Sequence, residues 1–174
     1  MSNAMENMLT RRSCRKYKAD PIPKEILEKI IEAGTYAPTG RGAQAPIIIA
    51  VTNKEMRDKL SRMNAAILGS DSDPFFGAPV VLVVLSDKSR AATYVYDGAL
   101  VMGNLMLAAH DQGIGSCWIH RAKQEFESEE GKAILKELGI EGDIEGIGHC
   151  ILGYEDGPCR PAAPRKENYV YWVE

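Results

Sequence analysis

Between Lys24 and Tyr36 the apolar residues Ile26, Leu27, Ile30, Ile31 and Ala33 recur at intervals of three and four, while Lys24, Glu25, Glu28, Lys29 and Glu32 mostly fall off that stripe. This spacing predicts an amphipathic helix with one face in a core. The period then changes. Ile47 to Thr52 is a short apolar run that reads as a buried strand, and Asn53 is placed to cap a helix running through about Leu68. Pro79-Val80-Val81-Leu82-Val83-Val84-Leu85 is continuously apolar and rich in β-branched residues, the pattern of a central strand. Tyr94 to Gln112 is the longest helical candidate, with Ala99, Leu100, Val101, Met102, Leu105, Met106, Leu107, Ala108 and Ala109 covering most of its circumference. Such a helix is expected to be buried on nearly every side, and in a chain this short one face is expected to meet a second subunit.

Glycine and proline mark the connections. A short helix from Met5 to about Thr10 cannot pass Pro21-Ile22-Pro23, and Ala37-Pro38-Thr39-Gly40-Arg41-Gly42-Ala43-Gln44 reads as a loop. Gly69 to Pro74 is polar and turn-rich, a mobile connection by composition. Gly113-Ile114-Gly115 ends the long helix; Ser116 to Ile119 predicts a short strand, Lys123 to Leu138 a charged surface helix, and Ile147 to Tyr154 a last strand. The tail from Gly157 carries Pro158, Pro161 and Pro164, then Arg165-Lys166, then the β-prone Tyr169-Val170-Tyr171-Trp172-Val173. That last run needs a partner to bury it, either the parent sheet or a neighbouring chain.

Composition narrows the picture. A length of 174 residues suits one domain with its own core, and 45% hydrophobic and 26% charged residues are ordinary values for a soluble globular chain. Met1-Ser2-Asn3-Ala4 ahead of Met5 reads as a tag-removal scar, leaving a single domain over residues 5–174. With 21 basic and 24 acidic residues the net charge is −3, which removes any general attraction to nucleic acid or an anionic membrane. Asp97, Asn104 and His110 interrupt the apolar helix, so it is no membrane span. Cys14, Cys117, Cys150 and Cys159 form no Cys-x-x-Cys pair and follow no secretory signal, which implies reduced thiols in a cytoplasm. His110, His120 and His149 lack both i, i+4 spacing and nearby cysteines, so no metal ligand is nominated.

Against that acidic total, Thr10-Arg11-Arg12-Ser13-Cys14-Arg15-Lys16-Tyr17-Lys18 gathers five cations and hydroxyls in nine residues. The bland reading is a solvated basic patch; the chemical one is a phosphate clamp, since arginine engages two oxygens at once. Other phosphate-binding signatures are missing: Gly113-x-Gly115 precedes a strand instead of following one, and Gly146-x-Gly148 lies inside one. No Gly-x-Ser-x-Gly elbow occurs. Cys14 and Cys117 have no histidine at a telling spacing and read as small core residues, and Met102 and Met106 as packing.

Four segments taken together carry a family resemblance. Arg11-Arg12-Ser13-x-Arg15 with Tyr17 and Pro21, the helix Glu25-x-Leu27-x-x-Ile30-x-x-Ala33 leading to Ala37-Pro38-Thr39, Asp97-Gly98-Ala99 with Asn104-Leu105 and Ala108-Ala109 closed by Gly113-Ile114-Gly115-Ser116-Cys117-Trp118-Ile119, and Gly153-Tyr154 with Pro164-Arg165-Lys166 stand in order over Met5 to Glu174. The chain thereby resembles the nitroreductase family of FMN-dependent oxidoreductases. The resemblance implies an α+β fold with a central mixed, mainly antiparallel sheet flanked by helices, and a homodimer in which the C-terminal segment extends onto the partner. It implies that Arg11, Arg12, Ser13 and Arg15 hold the FMN tail, with Arg165 as a second cation and Lys166 beside it. Thr39, Gly40 and Gln44 would reach the flavin of the other subunit, and Trp118 and Ile119 would line the ring. The implied reaction is ping-pong transfer of hydride from NADH or NADPH through the flavin to a nitroaromatic, a quinone or another electron-poor small molecule, with no catalytic side chain. Alternatives are a specialised branch performing flavin fragmentation, dehalogenation or desaturation, and a non-enzymatic FMN-binding redox sensor. Gly42-Ala43-Gln44-Ala45-Pro46 departs from the family's common Asn followed by Gln-Pro-Trp, and Asn64 to Phe76 matches no family feature.

Overall fold

The continuously apolar run around Val80 becomes an inner strand. In the computed structural model, which describes residues 3–174, four strands form one sheet in the order β1-β2-β4-β3. They are β1 (Pro46–Val51), β2 (Val80–Asp87), β3 (Gly115–Ile119) and β4 (Ile144–Gly153). All three ladders are antiparallel, and a parallel bridge joins Ser13 to Ser116 outside the named strands. Val80 to Ser86 is buried from end to end because both faces of β2 are covered, which is why the alternation expected of a half-exposed strand is missing.

The two faces hold different helices. Leu82 and Val84 pack with Ile30 of α2 (Lys24–Thr35) and with Met102 and Leu105 of α4 (Tyr94–Asp111). Val81, Val83 and Leu85 pack with Leu60 of α3 (Lys54–Leu68), Phe126 of α5 (Ala122–Glu127) and Ile134 of α6 (Glu129–Glu137). α2 and α4 cross closely, since a Cβ on Gly34 would stand 2.5 Å from Leu105 Cδ2. The expected cap is present: Asn53 Oδ1 accepts from Met56 N at 2.8 Å and starts α3. At the N-terminus Asn3 Oδ1 accepts from Met5 N, so Asn3 and Ala4 of the expected scar join α1 (Ala4–Thr10), while Met1-Ser2 lies outside the described residues.

A bulge in β4 places one core contact. Val84 pairs with Gly148 and Leu85 with Gly146, leaving Ile147 unopposed. Its side chain lies against Gly98 of α4, where a Cβ would come within 2.6 Å of Ile147 Cγ1.

Two expectations need correction, and one of the two placements expected for the tail is removed. The predicted helix from Lys123 to Leu138 is two helices, α5 and α6, because Ser128 is extended (φ −71°, ψ 159°) and its Oγ accepts from Gly131 N to begin a new one. A Cβ on Gly131 would meet the Glu125 carbonyl at 2.1 Å, so this junction requires glycine. Helix α4 is not buried on nearly every side within the chain: Val95, Leu100 and Tyr96 are exposed, Tyr96 at 72%. The β-prone tail does not join the parent sheet, and Tyr169 to Val173 stand exposed, Trp172 at 83%.

Candidate functional site

The basic segment is stitched to the sheet by its backbone. Cys14 N donates to Ser116 O on β3, Lys18 N to Tyr154 O beyond β4, and Asp156 N to Lys16 O, at 2.9, 2.9 and 3.0 Å. These bonds fix Arg11 to Arg15 beside β3 instead of leaving them on a loose terminus. The chain then returns through its tail, and the two segments enclose a cavity of about 610 Å³.

That cavity is lined by five arginines, Arg11, Arg12, Arg15, Arg160 and Arg165, together with Ser13, and, among the described residues, by no acidic one. Arg11 Nη1 is buried and has no hydrogen-bond partner among the described residues. A buried donor on a charged group left unpaired is costly, and an anion in the cavity would remove that cost. Arg12 is already engaged: its Nη1 donates to Leu9 O at 2.8 Å and Arg11 O at 2.7 Å, closing the C-terminal end of α1. Arg165 Nη2 donates to Ala163 O at 2.6 Å, which folds the tail around its own guanidinium. Lys166 does not line the cavity; its Nζ sits 5.4 Å over the Tyr169 ring. Arg160 is a residue that sequence reasoning missed. It is a lone cation between prolines with no local pattern, and its only signal is sharing a tail with Arg165.

Arg15 also borders a second cavity of about 290 Å³, lined by Trp118, Ile119, His120 and Arg121 at the end of β3 and by Asp73, Pro74 and Phe76 opposite. The basic cleft and the β3 edge are thus joined through one side chain. Trp118 lies over the bare backbone of Gly148, with Nε1 2.6 Å from where a Cβ would be. The neighbouring Cys117 thiol is pushed up by burial, a rise opposed by Arg15 and by a hydrogen bond with Ser13. Burial outweighs both, so the setting as a whole favours the thiol.

The opposite wall is anchored, although its composition suggested a mobile turn. Asp73 accepts from Arg57 Nη2 at 2.5 Å, Ser61 Oγ at 2.6 Å, Gly77 N at 2.7 Å and Phe75 N at 2.9 Å. Burial acts to raise its carboxyl, and these hydrogen bonds outweigh it and hold the group below the usual range. Arg121 is set by Asn64, whose Oδ1 accepts from Arg121 Nε at 2.9 Å; Asn64 also bonds the fully buried Glu125, which pairs with His149 at 2.9 Å.

Thr39, Gly40 and Gln44 are placed elsewhere. Thr39 and Gln44 line a third cavity of about 300 Å³ with Ile31, Ala37 and Val101, which shares no lining residue with the basic cleft. Gln44 N donates to Thr39 Oγ1 at 3.1 Å, and Gly40 N donates to the buried Asp97 at 3.1 Å, tying the loop to α4. Glycine at 40 is required by the close approach of Thr93, whose Oγ1 would be 2.1 Å from a Cβ. Within one chain, then, the basic residues gather in one cavity, Trp118 and Ile119 in the adjoining one, and the Pro-Thr-Gly loop in a separate one.

The profile of the nitroreductase family matches residues 8–70 and 65–154. The chain belongs to the nitroreductase family. Two archaeal relatives, each provisionally named NADH dehydrogenase/NAD(P)H nitroreductase, are from Archaeoglobus fulgidus (32% identical, over 88% of this chain and 86% of the relative) and Methanothermobacter thermautotrophicus (31%, over 67% and 60%). The chain therefore spans only 60% of the Methanothermobacter protein's length. The crystal structure of a nitroreductase with bound FMN from Bacteroides fragilis is similar over 100% of both chains, with a TM-score of 0.89 and 28% identity. No helix among the described residues is long and apolar enough to cross a membrane.

Proposed function

We propose that the protein is an FMN-dependent oxidoreductase that passes reducing equivalents from NADH or NADPH to a nitroaromatic, a quinone or another electron-poor small molecule. The observation that carries this reading is the five-arginine cleft with its buried, unpartnered Arg11 Nη1. A phosphate of charge about −2 suits that donor set. The Bacteroides fragilis relative with bound FMN supports the choice of flavin.

Arg11, Arg15, Arg160 and Arg165 would neutralise the phosphate, Ser13 would donate a hydroxyl, and Arg12 would hold the end of α1 while contributing charge. The main chain at Trp118 and Ile119 is available to the ring edge. Bound there, the flavin supplies hydride acceptance and donation at its N5, in a ping-pong order with donor and acceptor using the site in turn. The protein's share is orientation, charge and exclusion of water, and no side chain acts as acid or base.

The same reading makes the protein a cytoplasmic homodimer. Thr39, Gly40 and Gln44 would serve the partner's flavin, the exposed Val95, Tyr96 and Leu100 of α4 would meet the partner, and the tail would pack on it. The deciding experiment is the visible spectrum of the purified protein followed by anaerobic addition of NADH, then NADPH. A bound-flavin spectrum that bleaches within seconds is expected. A colourless protein that takes up no added FMN would refute the cofactor, and a flavin that stays oxidised would refute the electron donor.

A further inference from the structure

Behind the basic cleft the fold brings Cys14 to two groups near the other end of the chain, Glu155 and Cys159. Cys14 Sγ, Cys159 Sγ and a carboxylate oxygen of Glu155 all lie within 4.8 Å of one another. We propose that Cys14, Glu155 and Cys159 form a binding site for a thiophilic divalent cation of the Zn²⁺ class.

Two of the three ligands are held by the sheet. Cys14 is buried, its N–H donates to Ser116 O at 2.9 Å, and its carbonyl accepts from Tyr17 Oη at 2.8 Å. Glu155 pairs with Tyr17 through an antiparallel bridge next to that segment. Gly115 leaves the space the cluster needs, since a Cβ there would stand 2.7 Å from Glu155 Cγ and 3.0 Å from Cys14 Cβ. Ligand atoms around tetrahedral zinc are roughly 3.3–3.8 Å apart, so a modest contraction closes the set, with Cys159 on the tail able to supply the movement. A cavity of about 440 Å³ lined by Ser13, Cys14, Cys159 and Arg160 leaves room for water as the fourth ligand.

The charges also balance. Two thiolates and a carboxylate around a dication leave one negative charge, and Arg15 and Arg160 line the same cavity. The Lys16 ammonium is already paired with Asp156 at 2.7 Å, while the Lys16 carbonyl accepts from Cys14 Sγ at 3.1 Å, a bond that metal binding would replace. Binding would release the thiol protons. It would also fasten the tail just ahead of Arg160 to the segment bearing Arg11 to Arg15. The site does not depend on the identity of the ligand in the cleft.

The test uses the full chain, reduced with a phosphine and freed of metal, titrated with Co²⁺ and then challenged with Zn²⁺. One equivalent of Co²⁺ is expected to give an intense thiolate-to-cobalt charge-transfer absorption that Zn²⁺ displaces. Cys159→Ser, in a tail without regular structure and therefore no threat to folding, should weaken binding at least about tenfold and remove about half of that absorption. Glu155→Gln should weaken binding while keeping the absorption. No cobalt–thiolate absorption in protein whose four cysteines are all counted as free thiols would overturn the proposal. So would unchanged binding by Cys159→Ser, or a Cys14–Cys159 disulfide in protein prepared without air.

Discussion

The indole of Trp118 lies where a side chain at residue 148 would begin: a Cβ on Gly148 would be 2.6 Å from Nε1 and 2.8 Å from Cε2. Gly148 sits inside β4, paired with Val84, so the backbone there has little freedom to retreat. Gly148→Ala should therefore push the indole out of place and destabilise the fold by about 1–3 kcal/mol, the usual cost of overpacking. Urea unfolding together with tryptophan emission checks this. An alanine variant with wild-type stability and an unshifted spectrum would mean the indole moves freely.

Arg11 and Lys166 make opposite predictions. Arg11 lines the cleft and has a buried, unpartnered Nη1, whereas Lys166 rests over Tyr169 outside it. Hydrogen bonds to charged groups contribute about 1.5–3 kcal/mol, so Arg11→Gln should weaken FMN roughly 10- to 150-fold. Riboflavin, which lacks the phosphate, should bind both proteins alike. Lys166→Ala should change FMN affinity less than about twofold. Flavin fluorescence titrations read all of these, and equal losses for FMN and riboflavin in Arg11→Gln would place the phosphate elsewhere.

The legible parts of this chain were those where one local pattern reported one contact. The stripe of Ile26, Leu27 and Ile30, the cap at Asn53 and the unbroken run at β2 each follow from periodicity, since burial on one face or two imposes it directly. The break at Ser128 was hidden because its signal is a single local cap, Ser128 Oγ on Gly131 N, and charge patterning on either side stays helical. The Arg11 to Arg15 segment stood out by its density of cations, but Arg160 did not, because the tail alone brings it to the cleft. The Cys14, Glu155 and Cys159 cluster is likewise a product of the return of the tail, and no spacing announces it. The Asp73 network is similar. A polar turn looked mobile until Arg57 and Ser61 of α3 were seen to hold it.

Asp73 gives the pH prediction. Its carboxyl is lowered in the fold, so its contribution is present above the unfolded value of about 3.9 and is lost as pH falls through the lower folded value. Stability should fall more steeply below about pH 4 in the wild type than in Asp73→Asn, which has no charge to lose there. The same substitution should raise amide exchange at Phe75 and Gly77, whose N–H groups donate to the carboxylate. Parallel acid-unfolding curves would show that the carboxylate contributes nothing to acid stability.

The tail supplies the last test. Tyr169, Tyr171 and Trp172 are 67%, 81% and 83% exposed, an apolar load that one chain leaves uncovered, and Val95, Tyr96 and Leu100 on α4 are exposed as well. Large side chains contribute about 1.5–3 kcal/mol each when fully buried, and a two-fold dimer would cover two tails at once. Removing residues 167–174 keeps Arg160 and Arg165 while deleting that surface. The truncated chain should dimerise at least about tenfold more weakly than the full chain in sedimentation experiments, a shift of only about 1.4 kcal/mol. FMN affinity should fall with it, because Thr39, Gly40 and Gln44 would no longer be delivered by a partner, and raising the protein concentration should restore both. A full-length chain that sediments as a monomer at the same concentration, or a truncated one that dimerises unchanged, would remove the tail from the assembly.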